Sequence, residues 1–440
     1  MNLENKKILI HTVTPLFIGS GESFSPLTFW INSEMCNLIE FPEEAFVSSL
    51  SEQEKNSLGE LDWLDLMKLI YNKRGHLPGR TIPISPNIAD IYKDVLNESR
   101  KEFNKFDIKK LVTNINTHQP YVPGSSLKGA LRTGYLAFCP NLVQRGRNID
   151  EGAALGGCMS KDVFSTLKVG DCVPVDEVQT RIIYALRCHK NKDKSDIPTM
   201  LQIIMGGSSF AGEMTLISAD RIAHPFKNIT DVLEKVEKYS VSLLVDEKIG
   251  IKYPSLYNLQ SIKDEFTNPV YLCRVGGFIG AESHTIGRLR SIKIRNPKNK
   301  DDFRPYTTCT ICAAPNAKTP TNISFGWCLI EVLNGPASKN LPAFQALVAE
   351  QKELLQDKFY RSTTKPISNT RPVGVILPKE TYSREKVYSA SVVGLSKKGK
   401  ALVQVIGKTT KFTLMDAGNF EIGQTLEIAQ IQGTTCKLKK

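Results

Sequence analysis

No apolar run in this chain is long enough to cross a bilayer. The opening stretch, MNLENKKILIHT, lacks a secretory apolar core and a small-residue cleavage site. The expectation is a soluble, cytoplasmic protein with no membrane partner. Its ten cysteines have no framework spacing in so long a chain, which argues for reduced, buried thiols over disulfides. The glycine-rich stretch 274–300 does not end in Gly-Lys-Ser/Thr, so it is not a Walker-type phosphate loop, and it does not match a dinucleotide fingerprint. Nothing forms a Ser-His-Asp set or a nucleophile elbow. Acid is also in deficit, with 45 Asp and Glu against 57 Lys and Arg among 440 residues. A net charge of +12 favours a polyanionic partner, nucleic acid or an anionic membrane surface.

What is present is an α+β pattern. Lys6 to Val13 is a β-type run, followed by the glycine-rich turn Ile18-Gly19-Ser20-Gly21-Glu22-Ser23. That turn fits a phosphate cradle or a plain turn. Thr28 to Phe41 reads as a strand or hairpin, Asn56 to Tyr71 as one helix and Asn87 to Phe103 as another. Between the helices, Arg74 to Pro86 is rich in breakers and reads as a loop. The helical material, about residues 50–105, looks like an insertion. Further on, 140–157 reads as a polar loop. Gln179 to His189, Phe210 to Ser218, Val270 to Val275 and Asn322 to Leu333 read as strands, and Ile229 to Leu244 and Ala343 to Leu355 as helices.

The stretch Tyr121 to Tyr135, YVPGSSLKGALRTGY, organises the rest. Pro123-Gly124 breaks the chain, and Ser125 or Ser126 can cap the helix that follows. Leu127, Ala130 and Leu131 make an apolar side. Lys128 and Arg132 share a face, and Gly129 leaves the helix bare. Free amides, the helix dipole and two cations would suit a phosphate, while the plainer reading is a capped amphipathic helix with a solvated basic face. A second candidate runs from Arg274 to Lys300. Gly276, Gly277, Gly280 and Gly287 precede Arg288, Arg290, Lys293, Arg295, Lys298, Lys300 and Arg304. A bare turn feeding a basic strand suits backbone-tracking of single-stranded nucleic acid, or is a flexible loop beside a solvated strand.

After a linker at 357–379 the tail changes character. Five short β-type runs in 380–440, with ten Lys or Arg against four acids from Arg384 onward, predict a small barrel. It is either oligonucleotide-binding (OB-like) or purely structural.

The order of these blocks (Thr14-Pro-Leu-Phe-Ile-Gly-Ser-Gly21, Pro123-Gly-Ser-Ser-Leu-Lys-Gly-Ala-Leu-Arg132, the Gly276–Gly287 loop, and Gly326-Trp327) resembles the RAMP superfamily of CRISPR effector proteins. Within it, the pattern is most similar to the family of fifth Csm subunits of type III-A complexes. The resemblance covers roughly residues 6–360 and rests chiefly on PGSSLKGALR. It implies two ferredoxin-like, RNA-recognition-type modules, 1–205 and 206–356. It implies a non-catalytic subunit that caps the backbone filament at the 3′ end of the guide RNA and is needed for guide maturation and antiviral defence. Its implied partners are guide and target RNA and other Csm subunits, chiefly the repeated backbone subunit and the small helical subunit. The implied RNA contacts are Gly19, Ser20, Gly21, Ser125, Ser126, Lys128, Arg132, Gly276, Gly277, Arg288 and Arg290. The resemblance does not cover the tail barrel.

Two other functions stay open on the residues. One is a metal-independent guide-processing endoribonuclease of the same superfamily, with His11, His118 or His284 as base and Lys128 as its electrostatic partner. A metal-dependent cut would draw on Asp150, Glu151 and Asp162. The other is a stand-alone RNA-binding factor. No cofactor is expected, although Cys309-x-x-Cys312 has the spacing of half a structural zinc site, which Cys273, Cys328 or His284 could complete.

Overall fold

The computed structural model describes residues 3–97, 106–139, 142–145, 148–156, 158, 160–189, 198–218, 222, 225–248, 259–294, 302–321, 323–356, 387–395, 400–405, 411–415, 420–421, 424–432 and 435–438. The chain divides into two compact units, Met1–Lys365 and Pro366–Lys440.

The first unit is built on two six-stranded sheets. In the first sheet, Leu3–Thr12 is central and pairs antiparallel with Ser209–Ile217 on one side and Trp327–Val332 on the other. Val270–Arg274 extends it beyond Trp327–Val332, while Val173–Pro174 and Leu167–Val169 pair with Ser209–Ile217. Alternation in the central strand sends Ile8 and Ile10 to one face and His11 to the other. Ile8 and Ile10 share a core with Leu127 and Leu131 of the helix Gly124–Leu136 and with Val232, Leu233 and Val236 of the helix Ile229–Lys248. Each fully buried leucine there is worth about 1.5–3 kcal/mol. The opposite face, with Leu272 and Leu329, is covered by Phe344, Leu347 and Val348 of the helix Pro342–Leu355 and by Ile262.

The second sheet runs in the order Ile323–Ser324, Cys309–Ala314, Thr180–His189, Thr199–Ile204, Ile108–Leu111, Gly19–Ser23. Both sheets take strands from each side of residue 205, so the expected boundary at 205/206 does not separate them. The expected single strand Asn322 to Leu333 is two strands in different sheets. Gly326 bends the chain between them at φ +86°, where a Cβ would lie 2.3 Å from the Val275 carbonyl oxygen.

The insertion begins earlier than expected and is not purely helical. Phe29–Asn32, Asn37–Glu40 and Arg80–Pro83 form a three-stranded sheet, so part of the expected loop Arg74 to Pro86 is a strand. The expected helix Asn56 to Tyr71 is broken into Glu52–Ser57, a 3-10 turn, and Trp63–Lys73. Asp62 restarts it by accepting the amides of Leu64 and Asp65 at 2.9 Å. Phe29, Ile31, Ile82, Ile88 and Tyr92 then pack the insertion onto Ile182, Tyr184 and Leu186 of the second sheet. The expected polar loop at 140–157 holds a small hairpin, Val143–Arg145 with Asn148–Asp150, and the helix Glu151–Leu155.

In the second unit, Tyr388–Leu395, Ala401–Val405, Lys411–Leu414, Thr425–Gln432 and Thr435–Leu438 close a barrel in the order 1-2-3-5-4. Its first and fourth strands pair, and its third and fifth run parallel. Val392, Val403, Phe412, Leu414 and Ile428 fill it. The expected linker at 357–379 lies outside the described residues. Among the described residues no helix is long and apolar enough to cross a membrane.

Candidate nucleic-acid interface

The helix Gly124–Leu136 forms because Pro123 sets its entry and leucines fill its inner face. Its first turn is fixed from outside. Asp171 accepts the Gly124 amide at 2.7 Å, and a Cβ on Gly124 would lie 2.2 Å from the Val169 carbonyl oxygen. This corrects the expected cap: neither Ser125 nor Ser126 caps the helix. Gly134 lets the helix lie close on its neighbour, since a Cβ there would meet Val236 Cα at 3.0 Å.

The two serines lie within the first turn, Ser125 exposed and Ser126 half-buried. Ser125, Ser126, Gly129, Ala130 and Thr133 occupy one helical face and line a cleft of about 380 Å³. Gly19, Gly276, Gly277, Ser283 and His284 line the same cleft. The glycine bends at 19 and 276–277 are thus brought beside the central helix. The Gly277 amide donates to the Phe17 carbonyl oxygen at 2.7 Å. Gly276 sits at φ +100°, and its absent Cβ would lie 2.4 Å from that same oxygen. Phe278 packs edge-on against Phe17, with centroids 5.4 Å apart. Gly129 differs: nothing lies within 4 Å of where its Cβ would be. There the helix backbone is bare to the cleft.

The predicted cations do not follow. Lys128 donates to the Leu167 carbonyl oxygen at 2.7 Å, and burial is the main cause that lowers its pKa. Arg132 is held by Asp162 at 2.7 Å and Glu151 at 3.0 Å, over the Phe164 ring. Neither lines the cleft: their side chains are drawn off its edge by these partners, although both positions neighbour Ser125 and Gly129 on the helix surface. Arg290 is buried, with 3% of its side chain exposed, and pairs with Asp246 at 3.2 Å. Arg288 is exposed and donates to the Cys139 carbonyl oxygen. Ser20 and Gly21 continue along the exposed edge strand Gly19–Ser23 and do not line the cleft. Of the basic run, 295–300 lies outside the described residues.

Arg274, which sequence reading passed over as a site residue, does line the cleft. It is buried, donates to Glu247 at 2.8 Å and the Phe325 carbonyl oxygen at 3.0 Å, and lies over the Trp327 ring. Partial desolvation, and then the Arg274 charge, lower the pKa of His284, so its imidazole is uncharged at neutral pH. The lining is thus hydroxyl, bare backbone and neutral imidazole, with one internally paired guanidinium. Such a lining can hydrogen-bond ribose hydroxyls and phosphate oxygens. Phe17, Phe278 and Thr133 also went unnoticed in the sequence; the Thr14–Gly21 and 121–135 blocks contain two of them, but only the fold gives them partners.

The other expected chemistry disperses. His118 sits in an exposed turn at φ +55° and does not line the cleft, and His11 is buried on the far face of the first sheet. Glu151 and Asp162 are engaged by Arg132. Cys309 and Cys312 lie three apart in one extended strand, so their side chains leave opposite faces, and the two cannot converge on one zinc. Cys312 instead shares a hydrogen bond with Cys188. Among the described residues no group of three His, Cys, Asp or Glu could hold a metal.

Comparison with known proteins agrees with this architecture. A protein of Methanocaldococcus jannaschii described as CRISPR system Cms protein Csm5 is 28% identical over 217 residues, 44% of this chain and 49% of that one. The chain thus spans about half the length of the curated relative it matches. A chain from a Csm–crRNA–target RNA ternary complex of a type III-A CRISPR-Cas system is similar in fold, with a TM-score of 0.51, 16% identity, and coverage of 75% of this chain and all of that one. Csm5 of T. onnurineus gives a TM-score of 0.47 at 15% identity, covering 74% of this chain and all of that one. The sequence profile of the RAMP superfamily matches residues 9–303, well over half the chain, and the protein therefore belongs to the RAMP superfamily.

Proposed function

We propose that this protein is a non-catalytic, guide-RNA-binding subunit of a type III-A (Csm) CRISPR effector, and that the 380 Å³ cleft holds a stretch of ribose–phosphate backbone. The observation that carries this reading is the meeting of Ser125, Ser126 and Gly129 with Gly19, Gly276 and Gly277 around one concavity. Two bare bends and an uncovered helix turn allow close approach of a sugar–phosphate chain, and the hydroxyls supply partners. The similarity to Csm5 supports placement at the end of the backbone filament, with the repeated backbone subunit and the small helical subunit as neighbours, in the cytoplasm. We read the first sheet as a ferredoxin-like module. Its four main strands alternate antiparallel, with the helices Gly124–Leu136 and Ile229–Lys248 on one face. The 1-2-3-5-4 barrel supports an OB-like role for the tail.

Photo-crosslinking tests the assignment. A guide-length RNA carrying 4-thiouridine, bound to the full-length protein and mapped by mass spectrometry, should crosslink within 124–133 and 276–284. Crosslinks confined to other peptides would sink it.

A further inference from the structure

On the far face of the first sheet, three side chains form a line that the RNA reading does not use. His11 Nδ1 lies 2.9 Å from Ser209 Oγ, and His11 Nε2 lies 2.9 Å from Glu331 Oε2. His11 and Ser209 are cross-strand partners, as are His11 and Leu329 two residues before Glu331, so sheet register sets the spacing. Glu331 is fully buried, yet its carboxylate is well satisfied: Asn268 Nδ2 donates at 2.7 Å, Ser338 Oγ at 2.6 Å and the Ser338 amide at 2.9 Å. An ionised carboxylate only accepts, so the His11 proton sits on Nε2. That leaves the Nδ1 lone pair facing the serine hydroxyl. Phe266 and Phe344 pack edge-on against the imidazole at 5.4 and 6.1 Å and hold its plane. Ser209 and His11 also line an open cleft of about 530 Å³, together with Lys339, Asn340 and Lys352.

We propose that Ser209 is an activated nucleophile in a second site, with His11 as its general base and Glu331 as a positioning residue, and that the site takes small carboxylic esters, preferentially anionic ones. Ser209 Oγ would attack the ester carbonyl while its proton passes to His11 Nδ1. The carbonyl–alkoxide bond then breaks, and the leaving alkoxide takes that proton. Water, deprotonated by the same nitrogen, cleaves the acyl-serine and restores the hydroxyl. Lys339 and Lys352 line the cleft and favour the negative substrate. The site is independent of RNA binding, because it lies on the face of the sheet opposite the helix Gly124–Leu136.

The test is labelling of the full-length protein with a fluorophosphonate, followed by peptide mapping. The expected result is a single adduct on Ser209, absent in Ser209→Ala, kept in Ser208→Ala, and formed roughly a hundredfold more slowly in His11→Gln. Glu331→Gln should slow labelling, and Glu331→Asp, which keeps the carboxylate, should recover part of the rate. The wild-type experiment decides by itself. Folded wild-type protein that gives no Ser209 adduct overturns the proposal, as does a labelling rate unchanged in a folded His11→Gln variant, and neither outcome touches the RNA reading.

Discussion

The amide of Gly277 donates to the carbonyl oxygen of Phe17 at 2.7 Å, and this one bond ties the two glycine bends together. They are 260 residues apart in sequence, and each is unremarkable alone. Joined, they form one wall of the cleft whose other wall is the central helix.

That join depends on the absence of a side chain at 276. Gly276→Ala would set a Cβ 2.4 Å from the Phe17 oxygen at φ +100°. The expected cost is about 2 kcal/mol or more, read as a lower denaturation midpoint. Gly277→Ala, whose Cβ would come no nearer than 3.2 Å to the Phe17 ring and 3.8 Å to its carbonyl oxygen, should cost clearly less. Equal melts for the two variants would show that the contact is not tight.

Lys128 and Arg132 should matter for stability and not for RNA. Lys128→Ala with Arg132→Ala removes the bond to Leu167 and the pairs to Asp162 and Glu151, for a loss of about 1 kcal/mol after solvent screening. RNA affinity and its salt slope should stay within twofold of wild type, roughly the scatter of such titrations. A shallower slope would return these cations to the RNA path.

Glu331 makes stability depend on acid. Burial alone would raise its pKa, but donors from His11, Ser338 and Asn268 overcome this and hold it at about 2. The folded value lies below the unfolded one of 4.5, so its stabilisation is complete above about pH 4.5 and is lost as the pH falls toward 2. The difference is on the order of 3 kcal/mol. Urea titrations of wild type and Glu331→Gln at pH 6, 4 and 3 check it: the gap between the two should narrow with acid, and a constant gap would refute the linkage.

The tail should be dispensable for folding. Met1–Lys365 is a compact unit by itself, so a chain ending at Lys365 should keep a cooperative melt. Aggregation of that chain would show that the tail is integral.

Local signals in the sequence carried far. The five barrel strands, the central helix and the strands around Leu3–Thr12 and Thr180–His189 follow from short-range pattern and breakers. Ser125, Ser126, Gly129, Gly19, Gly276 and Gly277 were legible as bare, polar bends. The pairings were not. Lys128 and Arg132 read as a free basic face because nothing local reveals that Leu167, Asp162 and Glu151 fold over them. The Ser125 or Ser126 cap failed because the helix already begins at Gly124, whose amide is accepted by Asp171, 47 residues on. Cys309 and Cys312 look like ligands only until the strand alternates them. Ser209, His11 and Glu331 are scattered through the chain, and only sheet register lines them up.

The most direct test of the cleft fills it. Gly129 is exposed, with open space beyond it, so Gly129→Leu should raise helix stability by up to about 1 kcal/mol while placing a side chain where the RNA backbone would lie. Equilibrium binding of a guide-length RNA should weaken about tenfold, the equivalent of about 1.4 kcal/mol, with an undiminished melt. Wild-type affinity in a folded Gly129→Leu protein would contradict the placement of RNA in this cleft.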